Sequence, residues 1–176
     1  MAILKEIVTK AVIGKSKKNS KEELTIETEA SVDTVLGCWV INHTFSGHEA
    51  NGKVNIDGSY DINVWYAYDN NTKTNVLVRN FFYKDTVNVK LKNDTLLDGN
   101  SEIIVRSLSA PSVTDVKVEG SMIKLTTEKE LGVEIVGDTK VRIAVEEDYD
   151  DYEADVTEAE IPMNINDNYL DGVNQK

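Results

Sequence analysis

Hydrophobic and polar residues alternate over residues 53–68 with the period of two that is typical of a β-strand. The apolar face carries Val54, Ile56, Gly58, Tyr60, Ile62, Val64, Tyr66 and Tyr68, and the polar face carries Asn55, Asp57, Ser59, Asp61 and Asn63. Gly58 leaves the apolar face without a side chain, which predicts a bulge or a bend at that position. Trp65 interrupts the polar face, so the pattern predicts that another layer or a partner covers this indole.

A polar turn follows this strand at residues 69–72. Asp69, Asn70 and Asn71 tolerate positive φ and can hydrogen-bond to their own backbone. The chain is therefore predicted to reverse here and to return through residues 76–78 as a β-hairpin.

Further short strands, separated by turn residues, are predicted along the rest of the chain. They are Thr86–Leu91, Glu102–Arg106, Val113–Val118, Met122–Thr127, Leu131–Val136 and Val141–Val145, with Ile3–Val12, Leu24–Glu27 and Val35–Asn42 joining the same sheets. Ile3, Ile7 and Val8 also match a helical stripe, although the dominance of Ile, Val and Thr favours a strand. Many short strands with frequent turns predict an all-β fold, either an antiparallel β-sandwich or a barrel-like domain.

The alternation stops after Val145, where an acidic segment begins. Repulsion between its carboxylates opposes compaction, and its few apolar residues do not offset the entropy of ordering. We therefore expect a β domain over residues 1–146 and an acidic, largely extended C-terminal tail over residues 147–176.

Charge is distributed unevenly along this chain of net charge −12. Residues 1–21 hold six lysines and one glutamate, whereas residues 146–176 hold eleven acidic residues and one lysine. The overall acidity argues against nucleic acid and anionic membranes as partners and favours basic proteins or cations. The alternative is that the acidity only keeps the chain soluble. One hypothesis is that the basic segment of one molecule meets the acidic tail of the next in an open lattice that salt weakens. The alternative is that the lysines lie in a solvated loop.

Candidate catalytic chemistry is sparse. The single Cys38 lies in an apolar run and is predicted to be a buried, inert thiol. His43 and His48 have no partner at metal-binding spacing, and no phosphate loop, nucleophile elbow or dinucleotide motif is present. The acidic cluster near residue 150 does not match the EF-hand spacing. We therefore predict no enzyme activity, no cofactor and no metal site.

No apolar run reaches the length of a membrane span, and charged residues interrupt the apolar residues of the N-terminus before a signal core could form. We therefore expect no membrane insertion and a cytoplasmic site of synthesis.

Several further segments follow one another in order along the chain: Lys5–Val12, Leu36–His43, Asp61–Tyr66 with the turn Asn71–Thr74, Leu96–Asp98 and Glu134–Val141. In these segments the chain resembles the outer spore coat protein E (CotE) family of endospore-forming bacteria. The resemblance covers about the first 146 residues. It implies a non-enzymatic morphogenetic protein that forms a layer around the forespore in the mother-cell cytoplasm and ends in the spore coat. It also implies self-association, attachment through the basement-layer protein SpoIVA, and recruitment of outer coat proteins.

The same resemblance assigns two sets of interaction residues. Trp39 and Trp65 are expected to be core or interface anchors, and Asp148, Asp150, Asp151 and Glu153 are expected to be recruitment charges. The chain departs from the family where its acidic residues thin out after Glu160. A carbohydrate-binding β module is the alternative, with Trp65, Asp61 and Asn63 as its site and an exposed Trp65 as its requirement. A cation-binding β protein that uses the tail is a further alternative.

Overall fold

A computed structural model describes residues 3–92 and 95–146 of the chain. The described residues form six strands and no helix: β1 (Ile3–Glu27), β2 (Val32–Ala50), β3 (Lys53–Tyr68), β4 (Lys73–Val87), β5 (Glu102–Glu119) and β6 (Met122–Val145). One antiparallel sheet has the order β1-β6-β5 and the other has the order β2-β3-β4. The all-β prediction is confirmed. The features described below lie within residues 5–143, which form one compact unit.

The two sheets share one hydrophobic core. Its buried side chains come from both sheets and include Ile56, Ile62 and Val64 of β3 and Leu125, Leu131 and Ile135 of β6. The predicted apolar face of β3 is the buried one, because the side chains of this central strand alternate between the core and the outer surface. The Tyr60 hydroxyl also reaches the Thr127 hydroxyl, at 3.0 Å, and so joins the two sheets by a buried hydrogen bond.

The predicted hairpin is confirmed. β3 and β4 pair without interruption from Val54↔Val87 to Tyr68↔Lys73. Asp69, Asn70 and Asn71 of the connecting turn all have positive φ, between 55° and 61°. Asx residues accept this left-handed conformation better than other side chains, which is why the turn forms where the sequence predicts it.

The strands are fewer and longer than predicted. The runs Ile3–Val12 and Leu24–Glu27 belong to the single strand β1, which passes through the lysine-rich segment predicted to be a loop. Outward-facing Lys15, Lys17 and Lys21 pair with glutamates of β6, so the segment forms a charged strand face instead. In the same way, the three runs predicted between Met122 and Val145 form the one strand β6.

β5 also continues through the predicted break at Ala110-Pro111. Its register with β6 shifts between Ser109 and Ser112, which indicates a bulge at these two residues. Proline cannot donate a ladder hydrogen bond, but it is tolerated at a bulge of an edge strand such as β5. The predicted run Thr86–Leu91 is not a separate strand, because β4 ends at Val87 and Leu91 makes only an isolated bridge to Gly14.

The bulge predicted at Gly58 is wrong for β3. Pairing with β4 is regular through Gly58↔Tyr83, and a side chain at Gly58 would collide with the Tyr83 ring. The glycine therefore makes room for a neighbouring aromatic ring. The irregularity lies in the adjacent strand β2, between Ile41 and Thr44, where Asn42 has a φ of 55°.

Within the described residues, no helix is long and apolar enough to cross a membrane. The domain boundary predicted at residue 146 coincides with the last described residue. The proposed division into a β domain and a tail therefore stays a prediction.

Candidate functional site

An apolar patch covers part of the outer face of the sheet β2-β3-β4. We call it the tryptophan face, and it consists of Trp39, Ile41, Asn63, Trp65, Val76 and Val78. Strand register places Trp65 beside Val76, and it places Asn63 between Trp39 and Val78. Its five apolar side chains are all more than 40% exposed. Contiguous apolar surface of this kind, as opposed to single exposed residues, is typical of interaction sites.

The two indoles are neighbours because of local features of β2. A register shift between Val35 and Gly37 brings Gly37 opposite Trp65. A Cβ atom at Gly37 would lie 3.5 Å from Cζ3 of Trp39, so the Trp39 ring extends over this glycine toward the Trp65 position. Two tryptophans from adjacent strands therefore lie on the same face of the sheet, one pair of residues apart in the register.

Asn63 lies in the middle of this face and is only 7% exposed. Its Nδ2 atom is buried and has no hydrogen-bond partner among the described residues. A buried donor without an acceptor costs about 1–3 kcal/mol, and such groups are rare in folded proteins. The face thus holds an amide whose donor capacity is unused within the described part of the chain.

A polar row borders the face at Asp61. The amides of Asn42 and Asn80 donate to its two carboxylate oxygens at 2.8 and 2.7 Å. These hydrogen bonds hold the pKa of Asp61 below its ordinary value, so the carboxylate is ionised at neutral pH. The row joins β2, β3 and β4 and fixes one anionic group at the edge of the apolar surface.

The structure brings together two of the residues predicted to act in interactions. Trp39 and Trp65 are each 44% exposed, so neither is a core residue, and their role as interface anchors stays a prediction. The covering layer predicted for Trp65 is not found among the described residues. Asp148, Asp150, Asp151 and Glu153 lie outside the described residues.

Cys38 and His48 are two further candidates for reactive chemistry. Cys38 is half-buried, and desolvation raises the pKa of its thiol to about 11, which keeps the sulfur protonated at neutral pH. His48 lies 3.5 Å from Asp57 at the surface. No group of three or more potential metal ligands occurs within residues 3–92 and 95–146.

Sequence reasoning missed the contributions of Val76 and Val78 to the face. The sequence pattern predicts Val76-Leu77-Val78 as the return of the hairpin but does not assign a face of the sheet to each residue. The register with β3 supplies this information, because Val76 and Val78 pair with Trp65 and Asn63 and Leu77 pairs with the buried Val64. Extending the polar face of β3 across the predicted hairpin would have identified both valines.

Comparison with known proteins yields one informative match. No curated protein and no solved structure matches the chain significantly. The family model for outer spore coat protein E (CotE) matches residues 3–176, which is essentially the whole chain. That family is a structural family of the spore coat, and the chain belongs to it.

Proposed function

We propose that this chain is a non-enzymatic morphogenetic protein of the bacterial endospore outer coat, which self-assembles through the tryptophan face. Family membership supports the outer coat as its location. The observation that carries self-assembly is the contiguous exposed surface around Trp39 and Trp65, with the buried donor of Asn63 at its centre. Aromatic residues in a desolvated patch are the usual anchors of protein interfaces.

A second copy of the chain is the occupant that best fits this surface. A copy would cover the apolar side chains that β2, β3 and β4 leave exposed. The charged outer face of the sheet β1-β6-β5, where lysines of β1 pair with glutamates of β6, would stay in solvent.

The test is the paired substitution Trp39→Ser and Trp65→Ser in the full chain. Each indole is 44% exposed and therefore buries more than half of its surface, so the double variant should also unfold at a lower urea concentration. The association constant should fall at least about tenfold, equivalent to roughly 1.4 kcal/mol. Particle size as a function of protein concentration is measured by light scattering, with circular dichroism as the check on folding.

Leu108→Ser is the matched control, because Leu108 is 54% exposed and lies on the other sheet, in β5. It should leave association unchanged. A doubly substituted chain that associates like the unaltered protein would contradict self-assembly through this face.

Attachment and recruitment form the second part of the proposal. We further propose that the chain is made in the mother-cell cytoplasm, attaches to the coat through the basement-layer protein SpoIVA and recruits outer coat proteins, as its resemblance to the family implies. The proposed recruitment charges are Asp148, Asp150, Asp151 and Glu153, because four carboxylates so close together in the sequence favour basic partners. Changing all four to the corresponding amides should reduce capture of outer coat proteins while the chain still reaches the coat. Unchanged capture would remove the tail from recruitment.

A carbohydrate-binding module is the second candidate, and one observation favours it. The carbohydrate-binding hypothesis requires an exposed Trp65, and Trp65 is half-exposed. Asp61 and Asn63 lie near it along β3. Retention of the chain on insoluble polysaccharide, abolished by Trp65→Ser and competed by soluble sugar, would favour this candidate over self-assembly. The cation-binding alternative concerns the tail and stays a prediction.

A further inference from the structure

Three charged side chains meet between the two sheets. Lys129 of β6 places its Nζ atom 3.3 Å from Glu22 Oε1 of β1 and 3.3 Å from Asp85 Oδ2 of β4. We call these three residues the inter-sheet triad. Glu22 and Lys129 come from one sheet and Asp85 comes from the other. The triad is thus a point at which reactive groups of both sheets approach each other.

The triad lies in the interior because of the alternation of β6. Ile123, Leu125, Thr127 and Leu131 face the core, and Lys129 shares their parity and therefore points inward with them. The Lys129 side chain is 3% exposed and that of Asp85 is 9% exposed, whereas Glu22 is 33% exposed. A lysine buried this deeply is rare in proteins and requires compensating partners.

The surroundings hold the triad in place. The Nζ atom of Lys129 lies 3.8 Å from the centroid of the Tyr83 ring, and Ser20 Oγ donates to Asp85 Oδ2 at 3.1 Å. The Tyr83 hydroxyl is hydrogen-bonded to His43 Nε2 at 2.6 Å. Desolvation and the nearby charge of Asp85 raise the pKa of Tyr83, so this hydroxyl stays neutral. Few rotamers remain open to the lysine or to the aspartate.

The cluster contains one carboxyl group more than an ion pair needs. One carboxylate neutralises one ammonium, yet two carboxyl groups contact Nζ at the same distance. With an amine, a carboxyl group and a second carboxyl group that can carry protons, the cluster holds every group that an amide condensation requires. We propose that Lys129 Nζ and Asp85 Cγ condense into an intramolecular amide bond that joins the two sheets, with Glu22 as the proton carrier.

The reaction balances without any co-reactant. Glu22 takes one proton from the Lys129 ammonium and delivers it to the Asp85 carboxyl group. The neutral amine then attacks Asp85 Cγ, the Nζ–Cγ bond forms, one Cγ–O bond breaks, and one water molecule leaves with the second proton of the amine. The net change is from an ammonium and a carboxylate to a neutral amide and water, and neither oxidation nor reduction occurs.

The geometry favours Asp85 over Glu22 as the acceptor of the new bond. Nζ lies 3.3 Å from Oδ2 of a carboxyl group whose chain is short and held by Ser20, so only a short approach of Nζ to Cγ precedes the reaction. Burial excludes bulk water, which would otherwise favour hydrolysis of the amide. Glu22 is more exposed and can exchange its proton with solvent, which suits a carrier.

Intact mass spectrometry of the denatured full chain tests the proposal directly. The expected mass is lower than the sequence mass by one water molecule. Lys129→Arg and Glu22→Gln should each restore the full sequence mass, because the first removes the nucleophile and the second removes the proton carrier. Lys124→Arg, at an exposed position of the same strand, is the matched control and should retain the loss of water.

Peptide mapping locates the bond. Tandem mass spectrometry should identify one branched peptide that joins the segment around Lys129 to the segment around Asp85. A full sequence mass for the unaltered chain would overturn the proposal. Loss of water that maps to any other residue pair, including Lys129 and Glu22, would also overturn the assignment. The measurement needs no folded variant, since the unaltered chain alone decides it.

Discussion

Asn63 shows at the scale of one residue how the tryptophan face differs from ordinary surface. Its neighbours Trp39, Val78 and Trp65 bury its side chain, but they provide no acceptor for its Nδ2 donor. The residue therefore lowers the stability of the isolated chain. Because this atom is buried within the chain, a copy that docks on the face does not reach it, and association leaves the cost in place.

Asn63→Leu is the substitution that separates these two effects. It replaces the unpaired amide with an apolar side chain of similar size, so the free energy of unfolding of the dissociated chain should rise by about 1–3 kcal/mol. Urea unfolding at a protein concentration below that of assembly measures this change. Association should not weaken, because the exposed side chains of the tryptophan face are unchanged and the buried amide makes no contact across the interface.

Asn80→Leu provides the contrast, because the Asn80 amide is satisfied by Asp61 at 2.7 Å. Its loss should lower the urea midpoint and not raise it. A lowered stability for Asn63→Leu would mean that its amide is paired, and the argument for an unsatisfied donor would fail.

Residue pattern predicts much of the interior and little of the site. The buried face of β3 follows from alternation alone, because register does not affect which side chains of one strand share a face. The juxtaposition of Trp39 and Trp65 depends on the register of β2, which shifts between Ile41 and Thr44 and which alternation cannot reveal. Lys129 was missed because Glu128-Lys129-Glu130 interrupts the apolar run and resembles a turn. Its partner Glu22 is 107 residues away in the chain.

At the scale of an element, the bulge in β2 decides where His43 points. Three steps along β2 oppose two steps along β3 between Ile41 and Thr44, and the extra residue changes the parity of the strand. Asn42 adopts the left-handed conformation and donates to Asp61. His43 then turns toward Tyr83 and packs 4.9 Å from the Phe45 ring, measured between centroids.

This placement predicts a pH dependence of stability. Desolvation by burial lowers the pKa of His43 below its ordinary value of 6.5. Because the unfolded chain binds the proton more readily, the stabilising contribution is complete above about pH 6.5 and is lost as the pH falls toward the lowered pKa. The urea midpoint should therefore decrease between pH 7.5 and pH 5.5.

His43→Phe tests this assignment. The variant should have a lower midpoint at pH 7.5, because the Tyr83 hydroxyl loses its partner, but a smaller decrease on acidification. His48→Gln is the control at the exposed histidine and should retain the full decrease. A pH profile of His43→Phe that parallels that of the unaltered chain would assign the dependence to another group.

Tertiary contacts also decide how long the strands are. The sequence pattern predicts breaks between short strands at the N-terminal lysines, at Ala110-Pro111 and at Gly137-Asp138, because these residue types are uncommon inside a strand. Tertiary pairing overrides each of them. The lysines of β1 face the glutamates of β6, a bulge accommodates the proline, and β1 approaches Gly137 so closely that a Cβ atom there would lie 2.8 Å from Ile13 Cδ1.

At the scale of the whole molecule, the two sheets present different outer faces. The sheet β1-β6-β5 carries the ion pairs Lys15–Glu134, Lys17–Glu130 and Lys21–Glu128, at 3.1–3.8 Å. The sheet β2-β3-β4 carries the tryptophan face. Three of the six N-terminal lysines thus already have acidic partners within the chain, so they are less available to the acidic tail of a neighbouring molecule.

This distribution predicts how salt affects assembly. Ionic contacts between molecules weaken as the Debye length falls from about 10 Å at 0.1 M to about 3 Å at 1 M salt. Burial of apolar surface is not screened, and sulfate strengthens it. If the tryptophan face drives association, particle size measured by light scattering should stay constant or increase up to about 1 M sodium sulfate.

Trp39→Ser with Trp65→Ser should lower the association constant at least about tenfold at every salt concentration, which excludes an unspecific effect of sulfate on the chain. The head-to-tail lattice between basic segment and acidic tail predicts the opposite, namely dissociation by sodium chloride with little effect of the tryptophan substitutions. Dissociation by chloride alone would therefore assign assembly to the charged face and leave the tryptophan face to another ligand, such as a polysaccharide. Because the two mechanisms differ in the sign of the salt effect, one titration of the full chain distinguishes them.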